Sequence, residues 1–381
     1  MTQTEPAKRS SARAPGPAGN ESTTCPETGS TRWTSECSLS VIQTPEELRQ
    51  GAFDLSTSRA AQRFPSTIDD VALPIGREDV ERAAGVIEGR VRRTPTLSSR
   101  TLGPDVFLKA ELLQRTGSFK PRGVLTKLAS LTRDEKERGV IAISAGNHAQ
   151  AVAWAAAEEG LDALVVMWTG TSEAKVAATR GYGAAVDLEA SGPAEAFARL
   201  GVLREETGRT LVHPFDDPLT IAGQGTVALE ILADVDAVDT IVVPIGGGGL
   251  ISGVAVAAAG RARVIGVEPE LSTALHSALR AGEPVEVEPT SIADGLNAPH
   301  AGRLPLEIAQ ELVEEIVLVS EDEIAEGFRF LYERAKLACE PAGAAAVAAV
   351  LAGKAGGGRT VCVVSGGNVA ARTAAGILAG R

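Results

Sequence analysis

Lys120 stands in the run TGSFKPRG, between Phe119 and Pro121. A lysine taken out of water loses its proton more readily and becomes a nucleophile toward carbonyl carbon. An aromatic neighbour such as Phe119 can wall a flat cofactor ring. The plainer reading of the same run is a surface turn with Lys120 and Arg122 both in water. Gly246, Gly247, Gly248 and Gly249 lie between the apolar run TIVVPI and the segment LISGVAVAAAG. Glycines leave backbone N–H groups bare around an anion, and a helix starting there adds its positive end, so a phosphate fits. A tight strand-to-helix turn would need the same glycines. The run is not G-x-x-x-x-G-K-[ST], which speaks against a nucleoside triphosphate loop.

Two further loops carry chemistry. In SAGN (144–147), Ser144 can cap the helix that follows, and the N–H groups of Ala145, Gly146 and Asn147 can receive a carboxylate. Asn147 can hydrogen-bond a phenolic oxygen. Ser365 opens SGGN (365–368), where a hydroxyl can meet a ring nitrogen or cap the helix AARTAAGILAG.

These loops need a frame that brings them together. Apolar runs at 139–144, 240–245, 263–268 and 360–365 read as strands, as do LDALVVMW and the short AAVDLEA. They alternate with helical patterns: REDVERAAGVIEGRV, NHAQAVAWAAAEEG, SEAKVAATRGYG and PAEAFARLGVLREETG. Such alternation implies an α/β fold with open, mostly parallel sheets covered by helices on both faces. In sheets of this kind sites form at the carboxyl ends of strands, where all three glycine-containing loops fall. Residues 1–65, rich in Ser, Thr, Pro, Ala and Gly, read as a disordered extension, and the compact region is expected to begin near Thr67.

A formal net charge of −12 argues against nucleic acid as a main partner, because phosphate backbones are met by basic patches. No stretch reaches the ~20 apolar residues of a membrane span, and the N-terminus lacks the apolar core of a secretory signal, so a cytoplasmic protein is expected. Four cysteines with no C-x-x-C pair and four histidines make neither a zinc site nor a disulfide framework an expectation.

Taken in order, TGSFKPRG, SAGNHAQA, HPFDDPLTIAGQGTVALEI, PIGGGGLISG, GVEPE, IADGL, KLACEPAGAAAVAAVL and VVSGGNV resemble the fold-type II family of pyridoxal-phosphate enzymes over roughly residues 75–378. Within it the likeness is to threonine/serine dehydratases and their serine racemase-like relatives. The resemblance implies two domains, a large one from 66–138 and 212–381 and a small one from 139–211. It implies pyridoxal 5'-phosphate as cofactor and a homodimer or homotetramer; this chain's own residues give no metal site as an expectation and leave a monovalent cation held by carbonyls open. Lys120 would hold the cofactor covalently and remove the Cα proton, and Phe119 would pack on the ring. Asn147 would bond the phenolic oxygen, Gly246, Gly247, Gly248 and Gly249 would hold the phosphate, and Ser365 would face the ring nitrogen. Ser144, Ala145, Gly146 and His148 would surround the substrate carboxylate.

The implied reaction is loss of water and then ammonia from a 3-hydroxy amino acid, L-threonine or L-serine by default, to give a 2-oxo acid. The segment GLNAPHAGRLPLEIAQ is atypical from Asn297 to His300, which leaves room for 3-hydroxyaspartate, phenylserine or a diamino acid. A serine racemase is the alternative, but racemases of the family carry a second serine where this chain has Ala145. Glu268 matches one ligand of the divalent metal in racemase-like members, without the later carboxylate. The chain ends at Arg381 with no regulatory domain after SGGN, so feedback control by isoleucine through such a domain is not expected. Glu340, in CEPAG, is placed near the cofactor by the resemblance, and a buried structural hydrogen bond is the reading favoured for it. A nicotinamide-dependent oxidoreductase would need its glycine loop early in the chain, with an acidic residue about twenty positions on. A non-catalytic binding protein on the same fold is opposed by retention of the Lys, Asn and Ser positions.

Overall fold

Continuous apolar segments such as TIVVP and TVCV are rare on a surface, because both faces of such a strand demand cover. In the computed structural model, which describes residues 73–380, they form the centre of a six-stranded sheet. The expected 1–65 extension and the expected start near Thr67 lie outside the described residues. The strands are β1 (Thr96–Ser98), β2 (Val106–Lys109), β3 (Val140–Ile143), β4 (Ala163–Trp168), β5 (Ala185–Ala190), β6 (Thr210–Leu211), β7 (Thr240–Pro244), β8 (Arg263–Pro269), β9 (Glu315–Val319) and β10 (Thr360–Val363). The six-stranded sheet runs β1-β2-β10-β7-β8-β9, and a four-stranded sheet runs β5-β4-β3-β6. Every pairing is parallel except the β1–β2 hairpin. The α/β class expected from the alternation of elements is the class observed.

The helices are α1 (Arg77–Ile87), α2 (Pro121–Ala129), α3 (Arg133–Arg138), α4 (Asn147–Glu158), α5 (Glu173–Gly181), α6 (Pro193–Thr207), α7 (Pro218–Asp234), α8 (Gly249–Ala258), α9 (Ala274–Ala281), α10 (Arg303–Leu312), α11 (Glu321–Phe330), α12 (Pro341–Leu351) and α13 (Ala371–Leu378). Alternate residues of the central strands enter different cores. Ile241, Val243, Val361 and Val363 pack with α1, α7 and α8, whereas Val242, Cys362 and Val364 pack with α11, α12 and α13. The smaller sheet repeats the device: Val140, Ala142 and Val165 face α4, and Ile141, Ile143 and Val166 face α6. A two-residue side-chain period with both faces buried gives an unbroken apolar run rather than an alternating one.

Strand β9 and the β1–β2 hairpin are additions to the sequence reading. β1 is three residues at the sheet edge with its last two exposed, so burial left little pattern to detect. Among the described residues no helix is long and apolar enough to cross a membrane.

Candidate active site

A cavity of about 930 Å³ opens at the carboxyl ends of β3, β7 and β10. Phe119, Lys120, Ser144, Ala145, Gly146, Asn147, His148, Gly246, Gly247, Gly248, Gly249 and Ser365 all line it. Residues from distant parts of the sequence are thus brought to one wall system, and Asn297 and His300 line it as well.

Lys120 is carried there by two loops that zip together. Ser118 forms an antiparallel bridge with Gly366, Phe119 donates its N–H to the Ser365 carbonyl at 3.2 Å, and Gly367 donates to the Gly117 carbonyl at 2.9 Å. Gly117 has φ 74°, and a Cβ there would sit 2.6 Å from Asn368 Oδ1, so only glycine fits. Pro121 opens α2, with its fixed φ suited to a first helical turn. Lys120 nonetheless adopts φ −53°, ψ −36°, the region a following proline disfavours. Its Nζ donates to the Pro214 carbonyl at 2.8 Å and lies 5.1 Å from the Phe119 ring centre. Burial lowers its pKa to about 8. The surface-turn reading of TGSFKPRG therefore fails twice, since Arg122 is wholly buried.

The glycine loop passes from β7 into α8. Gly248 adopts φ 97°, and the first turn of α8 has no side-chain cap. A Cβ on Gly247 would overlap the Phe215 ring, and one on Gly249 would come within 2.8 Å of Phe215 Cα. Close packing against Phe215 and bare N–H groups at a helix start occur together, so the two sequence readings of this loop are one geometry. The uncapped helix start is a ready place for an anion.

The SAGN loop departs from expectation. Gly146, not Ser144, precedes the first residue of α4, and no side chain caps it. Ser144 Oγ instead accepts the Gly146 N–H at 3.1 Å, which removes that N–H from the free donors. Ser365 likewise caps nothing: α13 begins at Ala371, behind Ala370. In both cases the chain travels further before helical dihedrals begin, and a cap must directly precede them.

Asn147 is held at both ends. Its Nδ2 donates to Glu340 Oε1 at 2.6 Å, and its Oδ1 accepts from Asn368 Nδ2 at 2.8 Å. The His148 imidazole turns to the Val212 carbonyl, 2.8 Å from Nε2, while Nδ1 is buried without a partner. Burial, with the Lys120 charge behind it, lowers the His148 pKa to about 3. It therefore presents no positive charge to a carboxylate near neutral pH.

Lys175, Phe197 and Phe215, also in the cavity wall, carried no local signal. Lys175 on α5 pairs with Asp294 at 2.5 Å, joining the four-stranded side to the turn at Asp294–Leu296. The rings of Phe197, His300, Phe215 and His213 follow one another at centroid distances of 6.3, 5.9 and 4.8 Å. Glu268 lies elsewhere: both its oxygens accept N–H groups, from Leu275 at 2.8 Å and His276 at 2.9 Å, at the start of α9. Among the described residues no group of three His, Cys, Asp or Glu is placed to hold a metal ion.

A family model described as pyridoxal-phosphate dependent enzyme matches residues 87–366. The chain is 44% identical over 310 residues to the catabolic L-threonine dehydratase TdcB of Escherichia coli, covering 78% of this chain and 94% of that one. Among solved structures, maize serine racemase superposes with TM-score 0.75 at 34% identity, covering 78% and 95% of the two chains. The serine racemase of Dictyostelium discoideum superposes with TM-score 0.72 at 34% identity, covering 78% and 99%.

Proposed function

The chain belongs to the family of pyridoxal-phosphate dependent enzymes, and from that premise we propose that it is an ammonia-lyase converting L-threonine or L-serine to a 2-oxo acid and ammonia. The observation that carries the reading is the arrival of a desolvated lysine, an uncapped glycine-rich helix start and two polar loops at one cavity. The residues fit the cofactor. The uncapped start of α8 suits its phosphate, Phe119 is an apolar wall, and the hydroxyl of Ser365 suits its ring nitrogen. When bound, pyridoxal phosphate supplies an electron sink for the pair left at Cα.

The protein's own groups do the rest. Lys120 would hold the cofactor covalently until the substrate's amino group displaces it, and the freed Nζ would then take the proton from Cα. With a pKa of about 8, roughly one Nζ in ten is neutral at pH 7, against about one in three thousand for an ordinary lysine at 10.5. Ser365 offers a neutral hydroxyl, which does not hold a proton on the ring nitrogen as a carboxylate would, so expulsion of the β-hydroxyl competes well with other fates. The N–H groups of Ala145 and Asn147, with the Ser144 hydroxyl, receive the substrate carboxylate, while His148 shapes the wall. We assign the six-stranded part to a large cofactor-binding domain (66–138 and 212–381), the four-stranded part to a small one (139–211), and the assembly to a homodimer or homotetramer.

The test is release of 2-oxo acid and ammonia by purified holoenzyme from L-threonine, L-serine, 3-hydroxyaspartate and phenylserine. Turnover of threonine or serine is expected, and silence with all four would overturn the assignment.

Ala145 has a side chain with no proton to give, which leaves one face of Cα without an acid. Ala145→Ser is therefore expected to raise serine racemisation, by roughly 10² if the hydroxyl serves as general acid. Chiral analysis of serine after incubation measures it, and an unchanged ratio of racemisation to elimination would remove Ala145 from this role.

A further inference from the structure

Glu340 precedes α12 yet does not cap it. Its side chain runs inward, is 4% exposed, and reaches the cavity wall. A Cβ on Gly366 would overlap Glu340 Oε1, and one on Gly295 would lie 3.7 Å from it, so the carboxyl group is wedged between two glycines. Glu340 N–H is tied to the Gly366 carbonyl at 3.0 Å. The wedge has one side-chain donor, Asn147 Nδ2, at 2.6 Å. Asn368 completes the chain, giving its Nδ2 hydrogens to Asn147 Oδ1 and to the Thr116 carbonyl at 2.7 Å. With Asn368 anchored on the Thr116 carbonyl, a flipped Asn147 would set its NH2 group against that of Asn368, and one orientation remains.

We propose that Glu340 is a positioning residue whose carboxyl group fixes the Asn147 carboxamide and whose proton sets how much negative charge stands beside the bound cofactor. This rests on the placement of the cofactor in this cavity argued above. The charged and polar groups facing Glu340 are Asn147 from α4, Lys175 from α5, Asp294 from the turn before α10 and the N–H of Asn368; Cys339 precedes it in the chain. Burial raises its pKa to about 8, with Asp294 adding to the rise and Asn147, Lys175 and Asn368 opposing it. Near pH 7 about nine in ten Glu340 side chains are then protonated and neutral. As pH rises through the pKa a full negative charge forms in the wall, next to the amide that faces the cofactor's ring oxygen. Like charge disfavours an anionic oxygen there.

The experiment titrates the visible absorbance of the holoenzyme from about pH 6.5 to 9.5. The wild type is expected to show a transition at or above about 8, since an anionic ring oxygen nearby raises the carboxyl further. Glu340→Gln, which keeps the shape but cannot ionise, is expected to lose it. Persistence of the transition in that variant overturns the proposal. Should Glu340→Gln fail to fold, the half-exposed pair supplies the test. Asp294→Asn removes a group that raises the pKa and should move the midpoint down, and Lys175→Gln should move it up. A midpoint that ignores both substitutions overturns it as well. A merely structural Glu340 would alter stability and leave the pH profile in place. Failure of the cofactor placement looks different: no visible band would form at any pH when pyridoxal phosphate is added.

Discussion

Lys120→Ala loses its visible absorbance band and at least about a thousandfold of its activity, the loss expected when a group that moves a proton in the rate-determining step is removed. The effect is on chemistry and not on folding. An ammonium whose pKa burial has drawn down to about 8 is already disfavoured where it stands, with one carbonyl, that of Pro214, to receive its hydrogens. Removing it relieves that cost, so the thermal midpoint of the apo variant is expected to equal or exceed that of the apo wild type. Lys120→Arg sharpens the test, since a guanidinium keeps the charge and cannot give up its proton in this range. It should be as inactive as the alanine variant, and it should also lack the band. Activity within tenfold of wild type in either variant would take Lys120 out of the reaction, whatever the fold family.

The parts of this site that are legible in the sequence share a property: their chemistry lies within a short window. A lysine beside an aromatic and a proline, four successive glycines after an apolar run, and the SAGN and SGGN loops each announce themselves locally. Strands β3, β4, β7, β8 and β10 are legible because burial on both faces leaves unbroken apolar runs, whereas the three-residue edge strand β1 leaves none. Pairing across the chain is not legible. Asn147 and Glu340 are 193 positions apart and Lys175 and Asp294 119, and nothing near either carboxylate names its partner. Ser144 and Ser365 read as caps for a related reason. A serine a few residues before a helix looks like a cap in the sequence, and only the dihedrals show that helical turns begin at Asn147 and Ala371. Arg122 departs furthest from its sequence reading: a charged residue next to a turn is solvated by default, and only its buried partners reverse that.

Those partners set the second large effect. Arg122 and Glu111 are both fully buried and meet through two parallel bonds of 2.8 Å, from Nε to Oε2 and from Nη2 to Oε1. Nη1 and Nη2 also reach Glu230 at 2.7 and 3.0 Å, and Lys109, buried too, gives Nζ to Glu230 Oε2 at 2.7 Å. The paired charges balance, and a balanced buried network is far costlier to break than to lack. Arg122→Met is thus expected to destabilise by about 3–5 kcal/mol, because Glu111 is left as an uncompensated buried carboxylate. Urea unfolding at constant m-value measures it, and a cost under about 1 kcal/mol would show that the pair contributes little. The Arg122→Met, Glu111→Gln double variant should lose much less than the sum of the single variants, since it removes the orphaned charge. The pH dependence has a definite sign. Burial alone would raise Glu230, but Arg122 and Lys109 outweigh it and hold the carboxyl below its usual range. The stability this gives the wild type is present above the ordinary carboxylate pKa and is lost as pH falls below it. Without Arg122 that contribution shrinks, so the gap between wild type and Arg122→Met is expected to narrow as the solution is acidified, and a gap that widened would contradict the assignment of charge in this network. The network grips β2 and α7 at the first turn of α2, two residues beyond Lys120, so the stability it provides and the placement of the reacting lysine depend on the same bonds.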